Sequence, residues 1–380
     1  MIPFNEPYIT GKEVHYIYSA VATGKISGNG KYTKLCQQYF EERWGFRKTL
    51  LTTSCTDALE MCALLLDIQS GDEVIMPSFT FVSTALAFVR QGAKIVFVDS
   101  RTDHPGIDES QIEPLITDKT KAIVVVHYAG ISCDMDTVME IATRHDLFVV
   151  EDAAQAIDSY YQPKNSEPRA LGSIGHLGCF SFHETKNIQS GEGGLLAIND
   201  ERFLKRAEII WEKGTNRAEF FRGEVNKYNW VDTGSSFLPS EITAAFLWAQ
   251  LEELDKIQQR RKEIWNLYFN DLQQFADKTS ILLPSIPDYA TNNGHAFYLV
   301  CQSLDARATL IKHLKSNEIA SVFHYLSLHK SPYYELKHDG RELPLSDNYA
   351  DCLLRLPLFN NLKNETIHLI CRLISNKLLL

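Results

Sequence analysis

The sequence predicts an α/β protein whose larger part is a mostly parallel, seven-stranded sheet, followed by a smaller α+β part. Three observations carry this. From about residue 48 to 200, short runs rich in β-branched residues alternate with helical patterns. Those runs are almost continuously apolar, as strands buried on both faces are, rather than alternating. The chain has 380 residues, 44% hydrophobic and 23% charged, which is enough for two domains with sizeable cores.

Taken in order, KTLLTTS, EVIMPS, AKIVFVDS, KAIVVVHY, LFVVEDA and CFSFH read as strands, with GGLLAIND as a seventh. TDALEMCALLLDI, TFVSTALAFVRQ and DMDTVMEIATRHD between them read as helices. Right-handed crossovers would gather a ligand at the carboxyl ends of the strands. YYQPKNSEPRALGS (160–173) is polar and proline-containing, and reads as an exposed loop. A long helix spanning about 240–275 connects the two parts, with Ile242, Ala245, Ala249, Leu254 and Ile257 near helical spacing. Beyond it HAFYLVCQS and SVFHYL read as strands, and DARATLIKHLKSNEI and NETIHLICRLISNKL as helices. The expected division is 1–250 for the large domain and 251–380 for the small one.

The formal net charge of −10 argues against a nucleic-acid partner. No run approaches the ~18 consecutive apolar residues of a membrane span. The opening MIPFNEPYITGKE has no signal-peptide pattern, so the expected location is cytoplasmic. The eight cysteines form no C-x-x-C pair and mostly sit in apolar runs, so they read as reduced core thiols without a metal. His183-Glu184 starts an H-E-x-x-H pattern that fails at Asn187. A nicotinamide fingerprint is also missing: KISGNGK lacks its third glycine and GSIGHLG is misspaced.

Four features fall at strand ends. TTSCTDALE (52–60) passes from strand to helix through small residues, where free backbone N–H groups favour a phosphate; an N-cap by Ser54 or Thr56 explains the same residues. PSFTFVST offers Phe79 and Phe81 for stacking or for the core. Asp152 ends an apolar strand, where a carboxylate needs a partner; it either caps a helix or faces a protonated pyridine nitrogen, with Gln155 near the same ring. Lys186 ends the run CFSFHETK and is followed by three glycines that let the backbone approach a ligand. It suits a nucleophile toward a carbonyl, with Ser181 as a phosphate ligand, unless it merely pairs with Glu184 or Glu192. Together the four match what pyridoxal 5′-phosphate requires, with Lys186 forming the Schiff base.

SCTDALE, MPSFTFVSTA, FVDSRTD, VVVHYAG, VVEDAAQ and CFSFHETKN…GEGG resemble successive motifs of the DegT/DnrJ/EryC1/StrS sugar aminotransferases, along nearly the whole chain. Within that family MIPFNEP, AEII-x-EKGTNR, FFRG, GSSF and VFHY-x-x-LH are similar to the TDP-4-oxo-6-deoxy-D-glucose 4-aminotransferases of enterobacterial common antigen synthesis. The resemblance implies an aspartate aminotransferase-like fold and a homodimer with shared sites. Lys186 and Asp152 would be catalytic, Gln155 would lie near the ring hydroxyl, and Phe81 would stack on the ring. Cys55, Thr56 and Ser181 would hold the phosphate. Ser236 stands where many members have an asparagine that reaches the partner's cofactor, a contact that Asn229 could make instead. Arg217, Tyr325 and His329 are the expected substrate contacts, with Lys213 and Arg222 further candidates for a diphosphate. The implied reaction moves an amino group from L-glutamate, through pyridoxamine phosphate, to C4 of the TDP-sugar, giving TDP-4-amino-4,6-dideoxy-D-galactose. The gluco epimer and a C3 amination are alternatives within the enzymes. A non-catalytic sugar-nucleotide sensor is the alternative outside them.

Overall fold

The computed structural model describes residues 1–164, 166–276, 279 and 281–378. Two helices, α1 (Glu13–Ala22) and α2 (Lys31–Trp44), precede β1 (Lys48–Thr52). The alternation then runs α3 (Cys55–Leu65), β2 (Glu73–Pro77), α4 (Val82–Val89), β3 (Lys94–Val98), β4 (Thr120–Val126), α5 (Met135–Arg144) and β5 (Phe148–Asp152). A hairpin of β6 (Tyr160–Tyr161) and β7 (Arg169–Ala170) comes before β8 (Leu177–Ser181) and β9 (Gly194–Ile198). That hairpin lies in the stretch expected to be a loop. Tyr161 and Leu171 are buried, so only the tip is exposed, and Asn165 within it lies outside the described residues.

One seven-stranded sheet has the order β1-β9-β8-β5-β4-β2-β3. β3, β2, β4, β5 and β8 are parallel, and only β9 is reversed, pairing antiparallel with β1 and β8. This is the mostly parallel α/β sheet that the apolar runs predict. The period of two divides each strand between two cores: Val125, Val149 and Leu195 face one, and Val124, Val150 and Leu196 the other. With both faces covered, ligands are left the strand ends.

After β9 come α6 (Leu204–Trp211), α7 (Arg217–Phe221), α8 (Glu241–Leu251) and α9 (Leu254–Ala276). The single helix expected over 240–275 is therefore two, interrupted at Glu252 and Glu253. α8 and the first turn of α9, through Leu254 and Ile257, share the sheet core, and the rest of α9 leaves it. Ala244, Ala245 and Leu247 of α8 pack with the sheet, while Ile264, Trp265, Tyr268 and Leu272 of α9 join a C-terminal cluster. Ile242, counted in the apolar stripe, is 39% exposed. The remaining elements are β10 (Tyr298–Val300), α10 (Leu304–Ser316), α11 (Pro344–Cys352), β11 (Leu353–Arg355) and α12 (Asn364–Leu378). β10 pairs antiparallel with β11. SVFHYL does not form the expected strand: only Val322 makes a bridge, to Arg355, because the aromatic side chains that follow are held by side-chain partners instead. Among the described residues, no helix is long and apolar enough to cross a membrane.

Candidate active site

The carboxyl ends of β1, β2, β5 and β8 open into a cavity of about 580 Å³. At its β1 end, Ser54 caps α3 by accepting the N–H of Asp57 at 3.1 Å. The cap leaves the N–H groups of Cys55 and Thr56, which have no earlier turn to bond, beside the cavity. Ser181, the last residue of β8, lines the same end. The cap expected of Ser54 is present, and it leaves the next two N–H groups, at a helix start, facing the cavity. Gly194 makes the packing possible, because a Cβ there would lie 2.4 Å from the Cys55 nitrogen. Of the three glycines after Lys186, Gly194 clears the Ser54–Cys55 backbone, Gly193 clears the Ser190 and Phe182 side chains, and Gly191 stands in open space with a left-handed φ of 78°.

Asp152 ends β5 and is 6% exposed. Thr84 Oγ1 donates to its Oδ2 at 2.7 Å, and the Ala154 N–H to its Oδ1 at 3.2 Å. No helix follows it, so the capping alternative falls. Burial raises its carboxyl above the usual range, opposed by the Thr84 hydroxyl, the Ala154 N–H and the Lys186 charge.

Lys186 is not at a strand end. β8 stops at Ser181, and the lysine sits in the tight turn beyond it, its N–H bonded to the His183 carbonyl at 2.9 Å. The next residue is the anchor: Asn187 Nδ2 donates to Gln258 Oε1 at 2.8 Å and to the Asn293 carbonyl at 3.0 Å. Its Oδ1 therefore accepts from His295 Nδ1 at 2.8 Å. Among the described residues Lys186 makes no ion pair, and Glu192 lies 3.7 Å from His183 instead. Burial lowers the lysine's pKa, the Arg355 charge adds to that, and Cys55 and Asp152 oppose it.

The opposite wall is aromatic. Gln155 Nε2 donates to Tyr325 OH at 2.8 Å, and Gln155 Oε1 accepts the Ala129 N–H at 2.7 Å. Tyr325 stacks on His324, with centroids 3.6 Å apart, and His324 Nδ1 meets Tyr128 OH at 2.7 Å. Phe81 is 55% exposed at the cavity, 6.0 Å from Tyr325 between ring centroids.

Cys55, Thr56, Phe81, Asp152, Gln155, Ser181, Lys186 and Tyr325 are thus brought together around one cavity. His329 is a correction. It is 4% exposed, bonded to Ser78 Oγ at 2.7 Å behind β2, and does not line the cavity. Arg217, at the start of α7, lies over the Phe221 ring at 5.2 Å. The Asn229 N–H is bonded to Asn216 Oδ1, and Ser236 bridges Glu212. These three lie outside this chain's own cavity. Arg222 is paired with Glu208 and Glu224, which leaves it no free charge for a diphosphate. Sequence reasoning missed Thr84, Asn187, His295 and Arg355. Only Arg355 carried a signal, as a lone charge in the apolar run LLRLPLF.

An amine with no counter-ion among the described residues, a buried acid with room for a donor, an exposed aromatic face and a helix start are the complement of a phosphorylated pyridine aldehyde. The donor set fits pyridoxal phosphate. Comparison with known proteins agrees. The profile of the DegT/DnrJ/EryC1/StrS aminotransferase family matches residues 7–375. The chain is 32% identical over 375 residues to the spore coat polysaccharide biosynthesis protein SpsC of Bacillus subtilis, covering 96% of this chain and 94% of that one. It is 31% identical over 378 residues to the GDP-perosamine synthase of Escherichia coli O157:H7, covering 98% of each. Among solved structures, Spr1654 from Streptococcus pneumoniae in its PMP form superposes with a TM-score of 0.90 at 26% identity, covering 99% of both chains. Its PLP form gives 0.88.

Proposed function

The chain belongs to the DegT/DnrJ/EryC1/StrS aminotransferase family, with pyridoxal phosphate as cofactor, and we propose that it aminates C4 of TDP-4-oxo-6-deoxy-D-glucose with L-glutamate as donor. The product would be TDP-4-amino-4,6-dideoxy-D-galactose, made in the cytoplasm for a lipopolysaccharide or enterobacterial common antigen. The observation that carries the catalytic part is Lys186, a cavity lysine with a lowered pKa and, among the described residues, no ion pair. The relatives named for GDP-perosamine synthesis support a nucleotide-linked sugar. The motifs shared with the TDP-sugar 4-aminotransferases support the TDP sugar and its C4.

In this reading the Cys55 and Thr56 N–H groups and the Ser181 hydroxyl hold the phosphate. Phe81 covers one ring face, Asp152 faces the ring nitrogen, and Gln155 borders the hydroxyl edge while fixing Tyr325 against the substrate. When bound, the cofactor supplies an electron sink for the carbon that loses its proton. Lys186 Nζ takes that proton and returns it, which needs the neutral amine that burial favours. A second copy of the chain brings Ser236, Asn229 and Arg217 to the mouth. The exposed Trp230, Phe221 and Tyr228 beside them support such a homodimer.

Incubating the loaded protein with L-glutamate and TDP-4-oxo-6-deoxy-D-glucose, then solving the product by NMR, tests the proposal. An axial C4 amine is the expected result. An equatorial C4 amine or a C3 amine would redirect the specificity. Ligand binding without any turnover of amino donors would replace the enzyme by a sensor.

A further inference from the structure

The stretch NNGHA (292–296) brings His295 and Ala296 into the cavity wall, and it is gripped from several sides. Asn292 Oδ1 accepts the Gly294 N–H at 2.8 Å, and Asn293 Oδ1 accepts the His295 N–H at 2.9 Å. Arg261 donates Nε to the Gly294 carbonyl at 3.0 Å and Nη2 to the His295 carbonyl at 2.8 Å. Only glycine suits position 294, because its φ is +63° and a Cβ there would lie 2.6 Å from the Arg261 carbonyl carbon. His295 is therefore held in place through its own backbone.

The hydrogen bonds behind it fix which ring nitrogen carries a proton. Gln258 Nε2 donates to the Ile157 carbonyl at 3.3 Å, which leaves Gln258 Oε1 to accept from Asn187. Asn187 Nδ2 gives its other hydrogen to the Asn293 carbonyl, so only Oδ1 remains to face His295 Nδ1. That oxygen cannot donate, and so Nδ1 does. Burial, helped by the Lys186, Arg261 and Arg355 charges, pushes the imidazole well below its usual pKa, so the ring is neutral and Nε2 carries a bare lone pair. Among the described residues Nε2 has no partner, yet it is not sealed inside the protein. It opens on the cavity that His295 lines.

A bare nitrogen can only accept, which restricts what meets it. Phosphate and carboxylate groups have no proton to offer. The hydrogen of a protonated pyridine is taken by Asp152. The amino donor arrives as an ammonium ion, which the Arg261 guanidinium, bonded to the carbonyl of His295 itself, repels. A neutral hydroxyl meets no such objection. In a nucleotide-linked 4-oxo-6-deoxyhexose, C1 carries the nucleotide, C4 is the ketone, C5 closes the ring and C6 is a methyl group. Only the C2 and C3 hydroxyls are left. We infer that His295 Nε2 accepts a hydrogen bond from one of these two hydroxyls, which makes His295 a specificity-determining residue. This rests on a sugar substrate, as proposed above, and not on which nucleotide carries it.

His295→Asn tests the contact, because the Asn amide nitrogen replaces Nδ1 and keeps the bond to Asn187, with nothing in place of Nε2. In the cofactor-loaded protein this variant should raise the half-saturating concentration of the sugar nucleotide ~5- to 50-fold. Its reaction with L-glutamate alone, followed by absorbance, should keep the wild-type dependence. Of the 2-deoxy and 3-deoxy forms of the sugar nucleotide, one should bind wild type and variant alike, and the other should keep the full difference. Nitrogen NMR of labelled histidine, with the His295 signals identified by their loss in the variant, should show a protonated Nδ1 and a bare Nε2 at neutral pH. The Nε2 signal should move when the sugar nucleotide is added. A full difference with both deoxy forms, an equal loss in the glutamate reaction, or a proton on Nε2 would overturn the inference. Normal amination of the sugar by the variant would also overturn it, and would leave the proposed function standing. A wild type that aminates a GDP-linked 4-oxo-6-deoxyhexose in place of the TDP-linked one would sink the TDP proposal, and the same rise in the variant with that sugar would uphold this one.

Discussion

Two acids follow each other at the end of β5, pointing to opposite faces of the sheet, and the protein treats them differently. Glu151 is fully buried and saturated: it accepts from the N–H groups of Gly172 at 2.7 Å, Ile174 at 2.7 Å and Gly175 at 2.6 Å, and pairs with His127 Nε2 at 2.9 Å. Asp152 has two donors and opens on the cavity. The first carboxylate takes up the glycine-containing turn 172–175, part of the run whose spacing fails as a nucleotide loop, and is finished as structure. The second is left with capacity to spare at a cost in stability. Incomplete satisfaction of a buried charge, more than burial itself, marks the functional side of the sheet.

The largest expected effect is on chemistry. Lys186→Ala should lower turnover by ~10³-fold or more in steady-state assays, and Asp152→Asn by a comparable factor. Neither substitution disturbs the face that Glu151 serves. Next, Glu151→Gln should destabilise the fold by about 3–5 kcal/mol in urea unfolding, because buried N–H groups lose their acceptor. Folded molecules of that variant should still bind cofactor.

The two acids should also part in sign. The folded-state pKa of Asp152 is raised, so the native state binds more protons than the unfolded one, and stability is lost as pH rises through the unfolded value toward the folded one. Asp152→Asn should therefore raise the melting temperature of the cofactor-free protein at neutral pH, where Glu151→Gln lowers it. A fall for both would break the comparison.

Lys186 supplies a smaller check. Its neutral form should appear at lower pH than in free lysine, read as the pH dependence of acylation by acetic anhydride in the cofactor-free protein. Arg355→Met should shift that midpoint upward, and Asp152→Asn downward. The smallest effect expected is from Ser54→Ala, about 1 kcal/mol from the lost cap.

Much of this was legible in the sequence. Strands buried on both faces announce themselves as apolar runs, and locating their ends finds cavity-lining polar residues such as Asp152 and Ser181. What stayed hidden depends on contacts between distant segments. The turn of Lys186 is set by Gln258 and Asn293, and His329 is withdrawn by Ser78, neither of which local pattern reports. α1 and α2 carry mixed faces whose partner, α8, lies some two hundred residues on, so periodicity alone did not single them out. The passage of α9 from the sheet core at Leu254 and Ile257 to the C-terminal core from Ile264 onward is likewise invisible to local pattern.

The reversed strand β9 has a consequence for how the molecule is made. Lys48 at the start of β1 faces Ile198 at the end of β9, and β9 alone joins β1 to β8. The turn after β1 and the end of β8 therefore become neighbours only once the whole stretch between them has been synthesised and β9 has slotted in. Pairings so distant in sequence are slow to close. The cavity end lined by Cys55, Thr56 and Ser181 should be among the last parts of the sheet domain to form.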